Sequence, residues 1–175
     1  MKNGQKLKAS SQELKARSII NLYYIRLLFL LMKYRLNQDD ITEDFFCDTK
    51  LIGIMCDVKN YQFCWLINKE LGLHFKLNTD IEIQVQKKGR NAFFPVYQFT
   101  QSEALVEHFI YKNLYEGEYL LPEFRHLDFL WLIKGEGIDE INCDEMILSL
   151  RNINGVQLVA ELSNEKIQKK GNLIF

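Results

Sequence analysis

Tyr119-Leu120-Leu121-Pro122-Glu123-Phe124-Arg125-His126-Leu127-Asp128-Phe129-Leu130-Trp131-Leu132-Ile133 is the densest apolar stretch in the acidic body of the chain, and it holds one of only two prolines. Pro122 fixes its own φ and drives Leu121 into extended geometry, so a sharp turn is expected there. Beyond the turn, strand periodicity places Leu127, Phe129, Trp131 and Ile133 on one face and Asp128, Leu130 and Leu132 on the other. Both faces are apolar except at Asp128. Such a strand belongs inside a sheet, with helices covering it on at least one side.

Reading outward, Lys50–Cys56 (KLIGIMC) is a short apolar run without helical spacing, and it is expected to be a buried strand. Asp57 is a candidate cap for the helix that follows. Tyr61, Cys64, Trp65, Asn68 and Leu71 recur at three- and four-residue steps, with Phe63 and Ile67 widening the stripe, and Gly72 ends the pattern. This aromatic stripe reads as core packing. His74–Asn78 and Asp80–Gln86 alternate as two strands, the second with Ile81, Ile83 and Val85 inward. Lys87-Lys88-Gly89-Arg90-Asn91 makes a solvated hairpin tip. Phe93–Thr100 returns, and Pro95, lacking an N–H, is expected at a sheet edge or a strand start. Ala104–Lys112 is a further strand, and Glu116-Gly117-Glu118 a tight turn.

After Ile133, the glycines of Lys134-Gly135-Glu136-Gly137 break the strand. Asn142–Arg151 is the second helix, with a capping pair in Asn142 and Glu145 and an inner face of Met146, Ile147, Leu150 and Ile153. Val156–Leu162 is the last strand, and Leu173-Ile174-Phe175 is an apolar tail able to tuck back onto the body. The order predicts one α+β domain, a mostly antiparallel sheet with two main helices packed on it.

The chain has 175 residues and a net charge of −1 that hides a split. Residues 1–31 carry six cations against Glu13, a net +5, which leaves the remainder at −6. An acidic body argues against binding along a phosphate backbone. The apolar run Ile19–Met32 falls short of the about 20 residues a membrane span needs, and Arg26 interrupts it. No small-residue cleavage site follows it, as a secretory signal would require. Residues 1–31 are therefore expected to be a basic, apolar leader outside the domain, with an authentic start at Met32 and the domain spanning 32–175.

The four cysteines form no C-x-x-C pair and do not cluster with His74, His108 or His126, so no metal site is expected. The cysteines read as free thiols in a reducing cytoplasm. No P-loop, nucleophile elbow or dinucleotide fingerprint is present, and no cofactor is expected. Glu123 and Asp128 beside an apolar run could divide acid and base roles. The competing expectation is that each satisfies backbone N–H groups or pairs with a cation such as Arg125 or Lys69. Asn68, polar on an apolar stripe, is a candidate partner for the Pro122 turn.

Leu121-Pro122-Glu123 followed, after three residues, by Leu127-Asp128-Phe129 resembles the motif that names the IPExxxVDY family of small bacterial proteins. Lys33-Tyr34-Arg35-Leu36, the run Tyr61–Lys69 with Leu71-Gly72, and Gly171-Asn172-Leu173-Ile174-Phe175 are similar too. The resemblance covers about 32–175, omits the leader, and brings no assigned activity. Leucine replaces isoleucine at 121 and valine at 127, and phenylalanine replaces tyrosine at 129, so no phenol is available there. The expectation from these observations is a soluble, cytoplasmic, non-enzymatic module that binds a protein partner or self-associates, using Tyr97, Tyr111 and Tyr115 as exposed interface aromatics. The alternative is a small-molecule binder or hydrolase built on Glu123 and Asp128.

Overall fold

Antiparallel pairing organises the chain from Thr49 onward. The computed structural model describes residues 23–28, 41–87, 89–101, 106–136, 138 and 143–175. The expected start at Met32, the segment Tyr34-Arg35-Leu36, Ala104 and the capping residue Asn142 lie outside them. The chain divides into two compact units, Met1–Glu43 and Asp44–Phe175. Residues 23–28 of the first are helical, and the described strands all belong to the second.

The elements are β1 (Thr49–Cys56), α1 (Asn60–Leu71), β2 (Lys76–Lys87), β3 (Arg90–Gln101), β4 (Val106–Lys112), β5 (Leu114–Tyr115), β6 (Glu118–Tyr119), β7 (Phe129–Gly135), α2 (Cys143–Arg151) and β8 (Val156–Leu162). Six strands form one sheet in the order β2-β3-β4-β7-β1-β8, every neighbouring pair antiparallel, while β5 and β6 make a separate small hairpin. The expected α+β class with an antiparallel sheet is what the chain adopts. β7 is interior, paired with β4 on one side and β1 on the other.

The two faces of the sheet are covered differently. On one, Phe129, Trp131 and Ile133 of β7 share a buried cluster with Phe63, Cys64 and Ile67 of α1 and with Ile147 and Leu150 of α2. On the other, Leu130 and Leu132 join a cluster completed by Phe46, Leu120, Leu121, Leu127, Ile167 and Leu173, which come from segments outside the sheet and both long helices. Leu127 therefore departs from the expected face. The strand begins only at Phe129, so strict alternation does not extend back to 127.

Other expectations need correction. In α1 the buried face is Phe63, Cys64 and Ile67, whereas Tyr61 and Trp65 are 55% and 59% exposed, so those aromatics are not core. The periodicity was present on two overlapping stripes, and tertiary contact selects one of them. Lys59, not Asp57, precedes the first turn of α1, and its N–H is capped by Gln62 Oε1 at 3.2 Å. Residues 41–46 are helical. The two strands expected between 74 and 86 are one, β2, with an irregularity where the pairing jumps from Asn78↔Val96 to Ile83↔Phe94. Pro95 sits opposite that jump and outside the β3–β4 register, which begins at Val96. It lies on an interior strand after all, but at a break in both ladders, where a missing N–H costs no ladder bond. The Glu116–Gly117 turn joins β5 to β6 with φ of 51° and 84°, conformations that favour glycine at the second position.

Tyr111 is completely buried, and its hydroxyl has no hydrogen-bond partner. Burial holds the phenol well above its ordinary pKa, so it stays protonated. A buried hydroxyl without a partner keeps its desolvation cost. Tyr111→Phe is therefore expected to raise stability by about 1 kcal/mol, read as a higher denaturation midpoint in urea with an unchanged slope.

Candidate functional site

Between β4 and β7 the chain leaves the sheet at Asn113 and returns at Asp128, and Asn113 holds the whole excursion. Its side chain is fully buried. Its Oδ1 accepts the Leu121 N–H at 2.8 Å, and its Nδ2 donates to the carbonyls of Phe124 at 2.9 Å and Leu127 at 3.0 Å, with Leu121 O farther away at 3.4 Å. Its backbone N–H donates to Asp128 O and its carbonyl accepts from the Leu120 N–H, both at 2.8 Å. One residue thus satisfies the main chain on both sides of the 3-10 turn Pro122–Phe124. Asn113 carries no distinguishing signal in the sequence, where it follows Lys112 at the end of an apolar run.

The two motif carboxylates work in the same way at longer range. Glu123 Oε1 accepts the backbone N–H groups of Gln168 and Lys169 at 2.7 and 2.9 Å. Asp128 Oδ2 accepts the N–H of Cys56 at 2.9 Å, while its own N–H donates to Ile54 O. Glu123 therefore ties the turn to the C-terminal segment, and Asp128 ties it to the end of β1. Both ties reach well beyond the local turn. Among the described residues, no ion pair joins either acid to Arg125 or Lys69. Arg125 is exposed, and Lys69 pairs with Glu70 at 3.4 Å and lies 5.4 Å over the Trp65 ring.

Asn68 does not serve the Pro122 turn. Its Nδ2 donates to Phe75 O at 2.9 Å and its Oδ1 accepts the Phe75 N–H at 2.7 Å, a reciprocal pair that anchors the chain leaving α1. The short loop after Gly72 brings Phe75 back over the helix end, so the nearest unpaired backbone takes the amide. Leu121 and Leu127 are buried in the second cluster and Pro122 is exposed. Phe129 stacks on Phe63 with centroids 4.0 Å apart, and the Lys112 ammonium lies 4.7 Å over its ring. Lys112 Nζ also donates to Val58 O at 3.1 Å.

The chemistry on offer is limited. Burial, then the Asp128 carboxylate, pushes the Cys56 thiol up, against a smaller opposing pull from Lys112. Burial pushes Cys64 up to about 12. These protonated thiols are poor nucleophiles. No group of three His, Cys, Asp or Glu side chains among the described residues could hold a metal ion. A depression of about 320 Å³ opens at the β2 irregularity, lined by Lys76–Asp80, Gln98 and Thr100, and neither Glu123 nor Asp128 borders it. No helix among the described residues is long and apolar enough to cross a membrane. No protein-family model matches the chain, and no curated protein matches it.

Away from the turn, His108 Nδ1 accepts the Trp131 Nε1–H at 3.2 Å inside the first cluster, and its ring stacks on Phe99 at 5.5 Å. The Trp131 bond places the imidazole proton on Nε2, which is buried without a partner.

Two outcomes follow from these contacts. Asn113→Ala leaves the Leu121 N–H and the Phe124 and Leu127 carbonyls unpaired in the core and should cost about 2–4 kcal/mol. Asn113→Asp should cost more at neutral pH, because a carboxylate cannot donate to those carbonyls. Urea unfolding of both variants checks this. Burial pulls His108 from 6.5 down to about 4. The unfolded chain therefore takes up a proton that the folded chain refuses. The stability contributed by neutral His108 is complete above pH 6.5 and is lost as pH falls towards about 4, a loss of about 3 kcal/mol. In His108→Gln that acid step in the unfolding profile should be absent.

Proposed function

We propose that this protein is a cytoplasmic, non-enzymatic module of the IPExxxVDY type, a structural scaffold that binds a protein partner or a second copy of itself. In this reading the two long helices cover one face of the sheet, and the motif exists to lock the other face. The observation that carries it is the use of both motif acids: each accepts main-chain N–H groups from a distant segment, Glu123 from residues 168 and 169 and Asp128 from Cys56. A general acid or base needs its carboxyl facing a substrate. These two hold the backbone instead. The acidic charge of the body supports a protein partner over nucleic acid.

The aromatics that favour an interface are not those expected from the sequence. Tyr111 is buried, and Tyr97 and Tyr115 are only partly exposed, packed against the clusters. Tyr61 and Trp65, one turn apart on the outer side of α1, are an exposed aromatic pair on the sheet-bearing unit, and Trp and Tyr are among the residues most enriched where partners bind tightly.

Carboxylate substitutions test the scaffold reading. Glu123→Ala and Asp128→Ala should each lose about 1–2 kcal/mol of unfolding free energy, and Glu123→Gln and Asp128→Asn, which keep an acceptor oxygen, about half of that. Wild-type stability in both alanine variants would show that the acids are free for chemistry and would reverse the assignment. Trp65→Ala should change stability by no more than about 0.5 kcal/mol.

A further inference from the structure

After β8 ends at Leu162, the chain crosses the second face of the sheet as a strap, residues 163–175. We propose that this strap is exchangeable, and that the groove beneath it docks the strap of a second copy of this chain. The proposal deepens the interaction reading above by naming the partner and the surface, and it rests on that reading for the claim that association is the protein's role.

The strap is attached by separate points. Its regular structure consists of the 3-10 turns Asn164–Lys166 and Lys170–Leu173, closed by local bonds such as Lys166 N–H to Ser163 O at 3.0 Å and Asn172 N–H to Lys169 O at 2.9 Å. Those local bonds survive if the strap lifts as a unit. Its hydrogen bonds to the body are the two N–H groups on Glu123, Asn172 Nδ2 on Leu120 O at 2.7 Å and Asn164 Nδ2 on Phe46 O at 3.4 Å, and the Lys170 ammonium and the Phe175 ring lie 5.6 Å and 5.7 Å from the rings of Phe46 and Phe45. Ile167 and Leu173 fill the apolar groove, and the Phe175 ring lies 4.8 Å from that of Phe109. Segments held by few contacts outside a ladder open at low free energy.

An open strap leaves an apolar groove that no polar segment can satisfy. The occupant that fits it is visible, because the groove already matches Ile167, Leu173 and Asn172 in shape and hydrogen bonding. A second copy presents the same side chains. Exchange of an identical element remakes every contact across the two chains and adds none that must be selected. Within one chain the strap competes at an effective concentration on the order of millimolar, so exchange becomes visible only near that protein concentration.

This gives a signature that an ordinary surface dimer lacks. The Glu123 tie is present in both the closed monomer and the exchanged dimer. Weakening it speeds opening without changing the final dimer fraction. In the chain kept at about 1 mM, Glu123→Gln should bring dimer to its plateau roughly two- to fivefold faster than wild type, at the same plateau, by size-exclusion chromatography. Geometry is read separately. With the exposed Cys47 replaced by Ser, chains carrying Glu123→Cys or Lys169→Cys are mixed at that concentration and treated with a short bis-maleimide. Cross-links between position 123 of one chain and 169 of the other should exceed either like-with-like product several-fold, and a chain carrying both substitutions should close on itself when dilute. A statistical mixture of products, a plateau that moves with Glu123→Gln, or a persistently monomeric wild type would each overturn strap exchange. The scaffold reading fails on its own terms, through unchanged stability of the alanine variants, so the two failures are distinguishable.

Discussion

The buried Asn113 carboxamide is the contact on which the arrangement of this protein turns. Between β4 and β7 the chain makes a sixteen-residue excursion from the six-stranded sheet, and outside the small β5–β6 hairpin its main-chain groups have no strand to pair with. Asn113 supplies one acceptor and two donors at the point of departure, and all of them close on the returning chain at Leu121, Phe124 and Leu127. With those groups paired, Leu120, Leu121 and Leu127 can be buried over β7. Without them, covering that face would leave carbonyls unpaired in apolar surroundings.

Glu123 and Asp128 extend the same logic outward. The turn that Asn113 shapes presents one carboxylate to the C-terminal segment and the other to the end of β1. Three pieces of chain far apart in sequence are thereby held at one corner of the sheet. In the cluster that holds Phe63, Ile67 and Leu150, the interiors of α1 and α2 satisfy their own backbones, and the Asn68 amide pairs with the Phe75 backbone where the chain leaves α1. The opposite face is covered by irregular chain, and irregular chain needs side-chain acceptors. This difference explains why the polar residues of the motif gather where they do, and why the strap, held by a few such acceptors, is the part of the fold best suited to exchange.

Much of this is legible in the sequence alone. The alternation in Asp80–Gln86, the apolar run after Pro122 and the glycines at 72, 89 and 117 mark strands and turns, although the break expected before Asp80 is an irregularity within β2. A structural use of Glu123 and Asp128, on backbone N–H groups or on a cation, is expected from their setting beside a proline turn, and the folded chain takes the first of these. Other features were hidden for identifiable reasons. Trp65 and Tyr61 share helical spacing with the true inner face, so periodicity alone did not rank the stripes of α1. Asn68 and Asn113 are both lone amides beside apolar residues, and nothing local says which one serves the Pro122 turn. Pro95 was placed correctly with respect to its missing N–H but not with respect to the sheet, because a break in the ladder serves as well as an edge.

Local chemistry, then, accounts for the elements and their class: side-chain period, proline and glycine geometry and the acidic balance all act over a few residues, and they specify an antiparallel α+β body. The order β2-β3-β4-β7-β1-β8 is of another kind. β1 slots between β7 and β8 through contacts more than seventy residues apart, one of them the Asp128 to Cys56 bond. Apolar strands of similar length are interchangeable in pattern, and what distinguishes them is which pairing buries both faces and leaves the fewest main-chain groups without partners. That comparison is made by the folded molecule as a whole.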